Sequence, residues 1–329
     1  MSDSVSIQVP GRLHLGFLDI PGKAGFRFGS IGLPLEGIST KLTISRADET
    51  SIHGNERLRI LEHLAKLRPR LGIRDHHRIV VHETIPDHAG LGSGTQLALA
   101  VSAALRVLHG LPFDVREDAT FLGRGTRSGI GIAAFDAGGL IFDAGKGRDD
   151  RTPTVISRIP FPGDWRIMLV FDSRAQGIHG EAEIEAFRAL PGFPAESSAA
   201  ICRHALMGIM PALVEEDIEA FGHAVTSIQR ELGNYFAPAQ GGHFTSRSVE
   251  ETLHKLAACG AVGIGQSSWG PTGFAFAKST EDAERILAEA SPLKQGTTVR
   301  IVGGRNQGAR ITQTMTPPQF ELEHHGHRH

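Results

Sequence analysis

The sequence is poor in cysteine, in aromatics and in net charge. Its two cysteines, Cys202 and Cys259, each stand alone in an apolar setting. That speaks against a disulfide framework and against a cysteine metal site, and it fits a reducing cytoplasm. Lys and Arg number 34 against 36 Asp and Glu, so no nucleic-acid or acidic-lipid partner is expected. The N-terminus lacks a basic-then-apolar signal pattern, and no uninterrupted apolar stretch reads as long enough to cross a bilayer. What is abundant is glycine, with 40 residues, much of it between elements. That favours an enzyme with several ligand-shaping loops. With 329 residues, 40% of them apolar, the chain can build two compact domains. A histidine cluster from His324 to His329 reads as part of a solvated tail with no assigned function.

The most informative stretch runs from Ile85 to Gln96. Before it, Arg78 to His82 reads as a strand. After it, Leu97 to Leu108 is a run of good helix formers. A glycine-rich loop thus opens directly into a helix. Gly90, Gly92 and Gly94 let the backbone turn tightly and approach a ligand. Free N–H groups and the positive end of the helix dipole face outward at Leu91, Ser93 and Thr95, which favours an anion, most naturally phosphate. A plain helix cap, with Ser93 or Thr95 at the N-cap, would not need three glycines in five residues. No Gly-Lys-Ser/Thr follows, so the loop is not a Walker loop, and the spacing does not match a Rossmann fingerprint.

Other stretches add polar groups. Val5 to Val9 alternates as a strand, Pro10-Gly11 breaks it, and Arg12 to Asp19 resumes it. Arg12, His14 and Gly16 then share one face, with Leu13, Leu15 and Phe17 on the other. Pro21 to Pro34, with Lys23, Arg27 and Ser30, reads as a connector that could act as a lid. Ser39 to Ser45 is a strand. Leucines at 58, 61, 64, 67 and 71 mark an amphipathic helix. Leu122 to Phe135 is a second glycine-rich loop that offers Arg124, Arg127 and Ser128 to anions. Pro153 to Asp164 marks a border between domains, and Trp165 to Phe171 is a strand buried on both faces. Helical patterns cover Glu181 to Leu190, Ser197 to Val214, Asp217 to Leu232 and Ser248 to Cys259, while Gly233 to His243 looks irregular. Ala261 to Phe276 reads strand, loop, strand, with Gln266, Ser267, Ser268, Trp269 and Thr272 in or beside the loop. The second half therefore predicts an α+β domain with helices on one face of an antiparallel sheet.

Pro10-Gly11-Arg12, the loop from Pro86 to Gly94 and the segment Gly263 to Gly273 together resemble the galactokinase, homoserine kinase, mevalonate kinase and phosphomevalonate kinase (GHMP) superfamily. The resemblance implies an α+β two-domain fold: an N-terminal domain like ribosomal protein S5 domain 2 over residues 1–160, and a ferredoxin-like domain over 161–315. A tail, 316–329, would be disordered. The kinase machinery departs from the family pattern. A second loop serine that helps hold Mg²⁺ is replaced by Gly94, and a catalytic Asp after Ser128-Gly-Ile is replaced by Gly131.

Gly11 to Asp19, Gly123 to Phe135 and Gly265 to Thr272 look like one branch of that superfamily, the β-ribofuranosylaminobenzene 5′-phosphate synthases. That resemblance implies joining phosphoribosyl pyrophosphate to 4-aminobenzoate or 4-hydroxybenzoate, with loss of CO₂ and pyrophosphate. It further implies Mg²⁺, a step toward tetrahydromethanopterin, a cytoplasmic enzyme and a homodimer. On this reading Asp19, His14 and Arg127 are catalytic, and Asp19 is also the metal contact. Gly90 to Thr95, with Arg124 and Ser128, hold phosphate. Arg12, Gln266, Ser267, Ser268, Trp269 and Thr272 hold substrate. The alternatives are an ATP-dependent small-molecule kinase and a non-catalytic ligand-binding regulator on the same scaffold.

Overall fold

The computed structural model describes residues 4–20, 28–147, 152–175, 177 and 181–314, with no side-chain description for 181–184. Lys23, Arg27 and the tail from 316 onward lie outside the described residues. The first half runs β1 (Ser4–Phe17), β2 (Ser30–Ala47), β3 (Ser51–His53), α1 (Arg57–Leu71), β4 (His76–Glu83), α2 (Ser93–Leu108), α3 (Val115–Phe121), α4 (Ile130–Asp136), β5 (Leu140–Asp143) and β6 (Val155–Ile159). The second runs β7 (Arg166–Asp172), α5 (Glu181–Ala189), α6 (Ala195–His204), a π-helical segment (Ala205–Ile209), α7 (Met210–Val214), α8 (Ile218–Gln240), α9 (Arg247–Ala258), β8 (Val262–Gln266), β9 (Gly273–Ala277), α10 (Thr280–Glu289), β10 (Thr297–Gly303) and β11 (Arg310–Thr314).

Two sheets result. One has the order β11-β1-β2-β4-β3, with β5 on the early part of β2 and β6 beyond it; the other is β10-β7-β9-β8. The border near Pro160 separates them, but β11 returns to the first sheet and pairs with β1 from Ser4↔Thr314 to Gln8↔Arg310. Residues up to 315 thus do not all belong with the second sheet. Pro10-Gly11 does not end the first strand: β1 continues through it, with register shifts at Pro10/Arg12 and His14/Gly16. Proline is tolerated because β11 pairing stops at Gln8, so no ladder N–H is lost there. The second shift breaks the expected alternation, and the Phe17 ring stands 4.6 Å from that of His14. The connector reading fails beyond Phe28, because Ser30 to Pro34 is already β2.

The helices differ from expectation where packing overrides pattern. Leu58 is 75% exposed, while Ile60, His63, Leu64 and Leu67 face the core. Ile130 to Asp136 is helix rather than loop, and α8 runs through the stretch read as irregular to Gln240. Ala195 to Val214 is continuous and, by length and composition, apolar enough to cross a bilayer. Its residues Ile201, Ala205, Ile209, Ala212 and Leu213 are nevertheless buried in the protein core. The second sheet is covered on both faces rather than one. Met168 and Val170 pack with α9 and α10, while Ile167 and Leu169 pack with α6 to α8.

That second layer is shared. Leu13, Leu15, Ile31 and Leu33 of the first sheet join Phe274 and Phe276 of the second in one cluster. The two halves therefore bury a common core. Inside the first half, Asp118 of α3 is fully buried and takes Arg106 (2.6 Å) and Ser102 (2.5 Å) from α2. Removing Asp118 strands a buried guanidinium. Asp118→Ala should cost about 3–5 kcal/mol, read as a lower urea midpoint at unchanged slope. Two buried histidines add a pH dependence. Burial, then Arg124 and Arg59, lower His63 to about 4. Burial, then His109, lower His77 to about 4. The unfolded chain binds more protons at these sites between pH 4 and 6.5, so their contribution is full above that window and is lost as pH falls through it. His63→Leu should flatten the decline in urea midpoint between pH 7 and pH 5; an unchanged decline would remove His63 as a source.

Candidate active site

The outer edge of β1 is free of β11 beyond Gln8, and two loops and helix α8 attach to it. Arg12 donates its backbone N–H to the Leu91 carbonyl (3.0 Å). The His14 N–H donates to the Ser267 hydroxyl (3.0 Å), and the Ser268 N–H donates to the His14 carbonyl (3.3 Å). Farther along, Gln229 of α8 donates to the Leu15 carbonyl (2.6 Å). These backbone groups of an open edge are thereby satisfied by residues of the site. Ser267 also donates its hydroxyl to the Gly90 carbonyl (2.8 Å). A Cβ on Gly90 would sit 2.1 Å from the Ser267 carbonyl, and one on Gly270 would sit 2.3 Å from the Gly90 nitrogen. Only glycine permits so close an approach between these two backbones.

The phosphate loop caps α2 through Gly92, which has φ 83°. Neither Ser93 nor Thr95 is the N-cap, so the cap reading of those hydroxyls does not hold. A cleft of about 380 Å³ lies over this helix start, lined by Arg12, Arg59, Arg124, Asp87, Ser93 and Thr95 among others. Arg12 reaches the Gly90 carbonyl (2.5 Å) and lies against Gly92. A Cβ on Gly94 would meet Arg59 at 3.1 Å and Arg124 at 3.3 Å. Two guanidiniums thus stand where the kinase pattern has its second serine. Burial, then the charge of Arg59, lower the Arg124 pKa, a strain that a bound anion would relieve. Arg59 is held by Asp87 (2.6 Å) and Glu56 (2.8 Å). Burial, then a hydrogen bond shared with Asp87, push the Glu56 carboxyl up to about 7. Burial alone would raise Asp87, but hydrogen bonds from Glu56, Ser93 and Arg59 keep it below its usual value. The cleft therefore presents helix N–H groups and guanidiniums to a polyanion.

A second, narrow pocket adjoins the first across Ser268 and Trp269. It is lined by His14, Phe17, Gln229, Phe236, Gln240 and Gln266 among others. Phe236 and Trp269 lie 4.7 Å apart by ring centroid. Burial, then the Arg12 charge, lower His14 to about 3, so its ring is neutral. Ser268 has φ 58°, an unusual conformation for a residue with a side chain.

The structure brings together most of the expected residues. Arg12, Gly90, Gly92, Ser93, Gly94, Thr95, Arg124, Ser268 and Trp269 line the cleft, and His14 and Gln266 line the adjoining pocket. Leu91 is buried beneath the loop and contributes its carbonyl. Ser267 is a brace between loops. The Ser128 hydroxyl accepts from the Ile130 N–H at the start of α4 (3.2 Å). Arg127 lies over the Phe187 ring, 5.0 Å from its centroid. Thr272 is fully buried. Asp19 donates its N–H to Phe28, and its charge acts on the Cys202 thiol of α6. Among the described residues, Asp19, Arg127, Ser128 and Thr272 do not line either space. Sequence reasoning missed Arg59 and Asp87. Arg59 reads as the solvated face of α1, and only its position over Gly94 reveals it.

Comparison with known proteins agrees with this architecture. The GHMP kinases N-terminal domain model matches residues 58–139 and the GHMP kinases C-terminal model matches 209–292. A homoserine kinase from Cytophaga hutchinsonii superposes with TM-score 0.69 at 17% identity, covering 95% of this chain and 98% of that one. A mevalonate diphosphate decarboxylase from Staphylococcus aureus gives 0.66 at 16% identity, covering 95% and 98%. At such identities these structures speak to the fold alone. Two curated relatives are named beta-ribofuranosylphenol 5′-phosphate synthase. The protein of Archaeoglobus fulgidus is 33% identical over 93% of this chain and 98% of its own length. That of Methanothermobacter thermautotrophicus is 30% identical over 92% and 97%. With the two-domain fold and the arginine-ringed phosphate loop described above, this likeness across nearly the full length means that the chain belongs to the beta-ribofuranosylphenol 5′-phosphate synthase family, on the GHMP kinase scaffold.

Proposed function

We propose that the chain is a decarboxylating pentosyltransferase. It would join phosphoribosyl pyrophosphate to a 4-substituted benzoate, 4-hydroxybenzoate or 4-aminobenzoate, and release CO₂ and pyrophosphate. The single observation that carries the reading is the convergence of Arg12, Arg59 and Arg124 on the glycine-rich start of α2. With that go the family name of the relatives and an aromatic-lined pocket next door.

In the reaction the bond from ribose C1 to pyrophosphate breaks, and C1 develops oxocarbenium character. The ring carbon that bears the carboxylate attacks C1 from the opposite face, pushed by the para group. The bond to the carboxyl carbon then breaks, its electron pair returns to the ring, and CO₂ leaves. One inversion converts the α-linked donor to the β-linked product. The residues' part is electrostatic and geometric. Arg12, Arg59, Arg124 and the loop N–H groups meet the charge that grows on pyrophosphate. Phe17, Phe236 and Trp269 hold the aromatic ring and keep water from C1. Mg²⁺, implied by the family resemblance, would neutralise phosphate oxygens. Asp87, beside Ser93 at the loop, fits it better than Asp19, since Mg²⁺ commonly takes one or two carboxylates together with substrate phosphates. A cytoplasmic homodimer belongs to the same reading.

The kinase alternative lacks a catalytic Asp at Gly131, whose Cβ position faces Thr95 (3.1 Å). The guanidiniums of Arg59 and Arg124 crowd the place of the absent serine.

The primary test supplies phosphoribosyl pyrophosphate, Mg²⁺ and carboxyl-labelled acceptor, with ATP and small alcohols in parallel. Equal release of CO₂ and pyrophosphate, dependent on both substrates, is expected; ADP without CO₂ would replace the reading with the kinase. Arg124→Ala should lower kcat/KM by about 10²–10³-fold with an unchanged unfolding midpoint. Near-normal turnover would take Arg124 out of the transition state.

A further inference from the structure

The pocket beside the phosphate cleft contains two buried polar atoms without partners among the described residues: His14 Nε2 and Trp269 Nε1. Both residues are 3% exposed, and both line that pocket. Their chemistry is complementary. Placing the His14 proton on Nδ1, toward its own backbone carbonyl, leaves a lone pair on Nε2. Burial and the neighbouring Arg12 keep the ring neutral. The indole Nε1–H can only donate. Two residues of the wall thus hold one bare acceptor and one bare donor, both uncharged. An unpaired buried polar atom is costly, and a ligand that satisfies both would relieve that cost.

The reaction geometry says which ligand group reaches them. The ring carbon that attacks C1 bears the carboxylate, so that end must face the phosphate cleft. The para substituent, on the far side of the ring, then points into the adjoining pocket. Trp269 lines both spaces and marks the passage between them. The pocket's open space, about 30 Å³, is smaller than an aromatic ring, so seating one has to move a wall.

The geometry points to His14 and Trp269 as the pair that reads the para group of the acceptor and selects hydroxyl over amino. A phenol does both jobs: its O–H donates to Nε2 while its oxygen accepts from the indole N–H. An aromatic amine can donate to His14, but its nitrogen lone pair is delocalised into the ring and accepts poorly from Trp269. The indole N–H is therefore the discriminating group, and His14 orients the hydroxyl. Donation to His14 also increases electron release toward the attacking carbon. This inference rests on the transferase reading above.

The test measures kcat/KM for 4-hydroxybenzoate and 4-aminobenzoate with wild type, Trp269→Phe and His14→Phe, each checked by its unfolding midpoint. Wild type should favour the hydroxy acid. Trp269→Phe keeps an aromatic wall but loses the N–H, and should lower the hydroxy-to-amino ratio about tenfold, the scale of one net hydrogen bond. His14→Phe should lower hydroxybenzoate turnover and its affinity together. If His14→Phe does not fold, Trp269→Phe alone decides. An unchanged ratio in Trp269→Phe, or a wild type that prefers the amino acid, would overturn the inference and leave the transferase standing. Absence of CO₂ and pyrophosphate release with either acid would instead defeat the transferase reading itself.

Discussion

The outer edge of β1 is the constraint on which the rest of the site depends. A strand edge leaves N–H and C=O groups that must find partners. Here β11 covers only Ser4 to Gln8, and the remainder is taken up in turn by Leu91, Ser267, Ser268 and Gln229. The phosphate loop of one half and the β8–β9 loop of the other are thus pinned to a common rail. Their relative position follows from backbone hydrogen bonds at Leu91 and Ser268 together with the Ser267 hydroxyl, which bonds both His14 and Gly90.

The glycines make that arrangement possible. Gly90 and Gly270 approach so closely that neither could carry a methyl group without displacing backbone. The same loop that would cradle phosphate is therefore the loop that contacts the second half. Together with the cluster that joins Leu13 and Leu33 to Phe274 and Phe276, this gives a cleft with fixed walls. Preorganised donors of that kind do not have to reorient as charge develops.

Much of the fold was legible in the sequence, because periodic apolar patterns and a glycine-rich loop before a helix are local signals. The phosphate loop, α2, β7 and the β8–β9 pair stand where residue pattern puts them. What could not be read was non-local. β11 is a short exposed strand whose only reason to exist is β1, far away in the chain. Leu58 and Leu61 continue a leucine row, yet the helix presents Ile60 and His63 to the core instead. In the site, Arg12 and Arg124 lay next to glycine motifs and were visible. Arg59 sat on an ordinary helix face, and only folding brings it over Gly94. Ser267, Ser128 and Arg127 had suitable chemistry but were already engaged, Ser267 in bracing the loops, Ser128 with the Ile130 N–H and Arg127 over the Phe187 ring.

The return of β11 also bears on the order in which the protein can be made. The edge strand that starts at Ser4 is covered only by Arg310 to Thr314, so in an emerging chain that edge stays bare until those residues have left the ribosome. Until then β1 offers an open edge to any passing strand. Nascent chains of this protein therefore have reason to need a chaperone's shelter until β11 emerges, and chains cut short near Gly303 would leave that edge permanently bare.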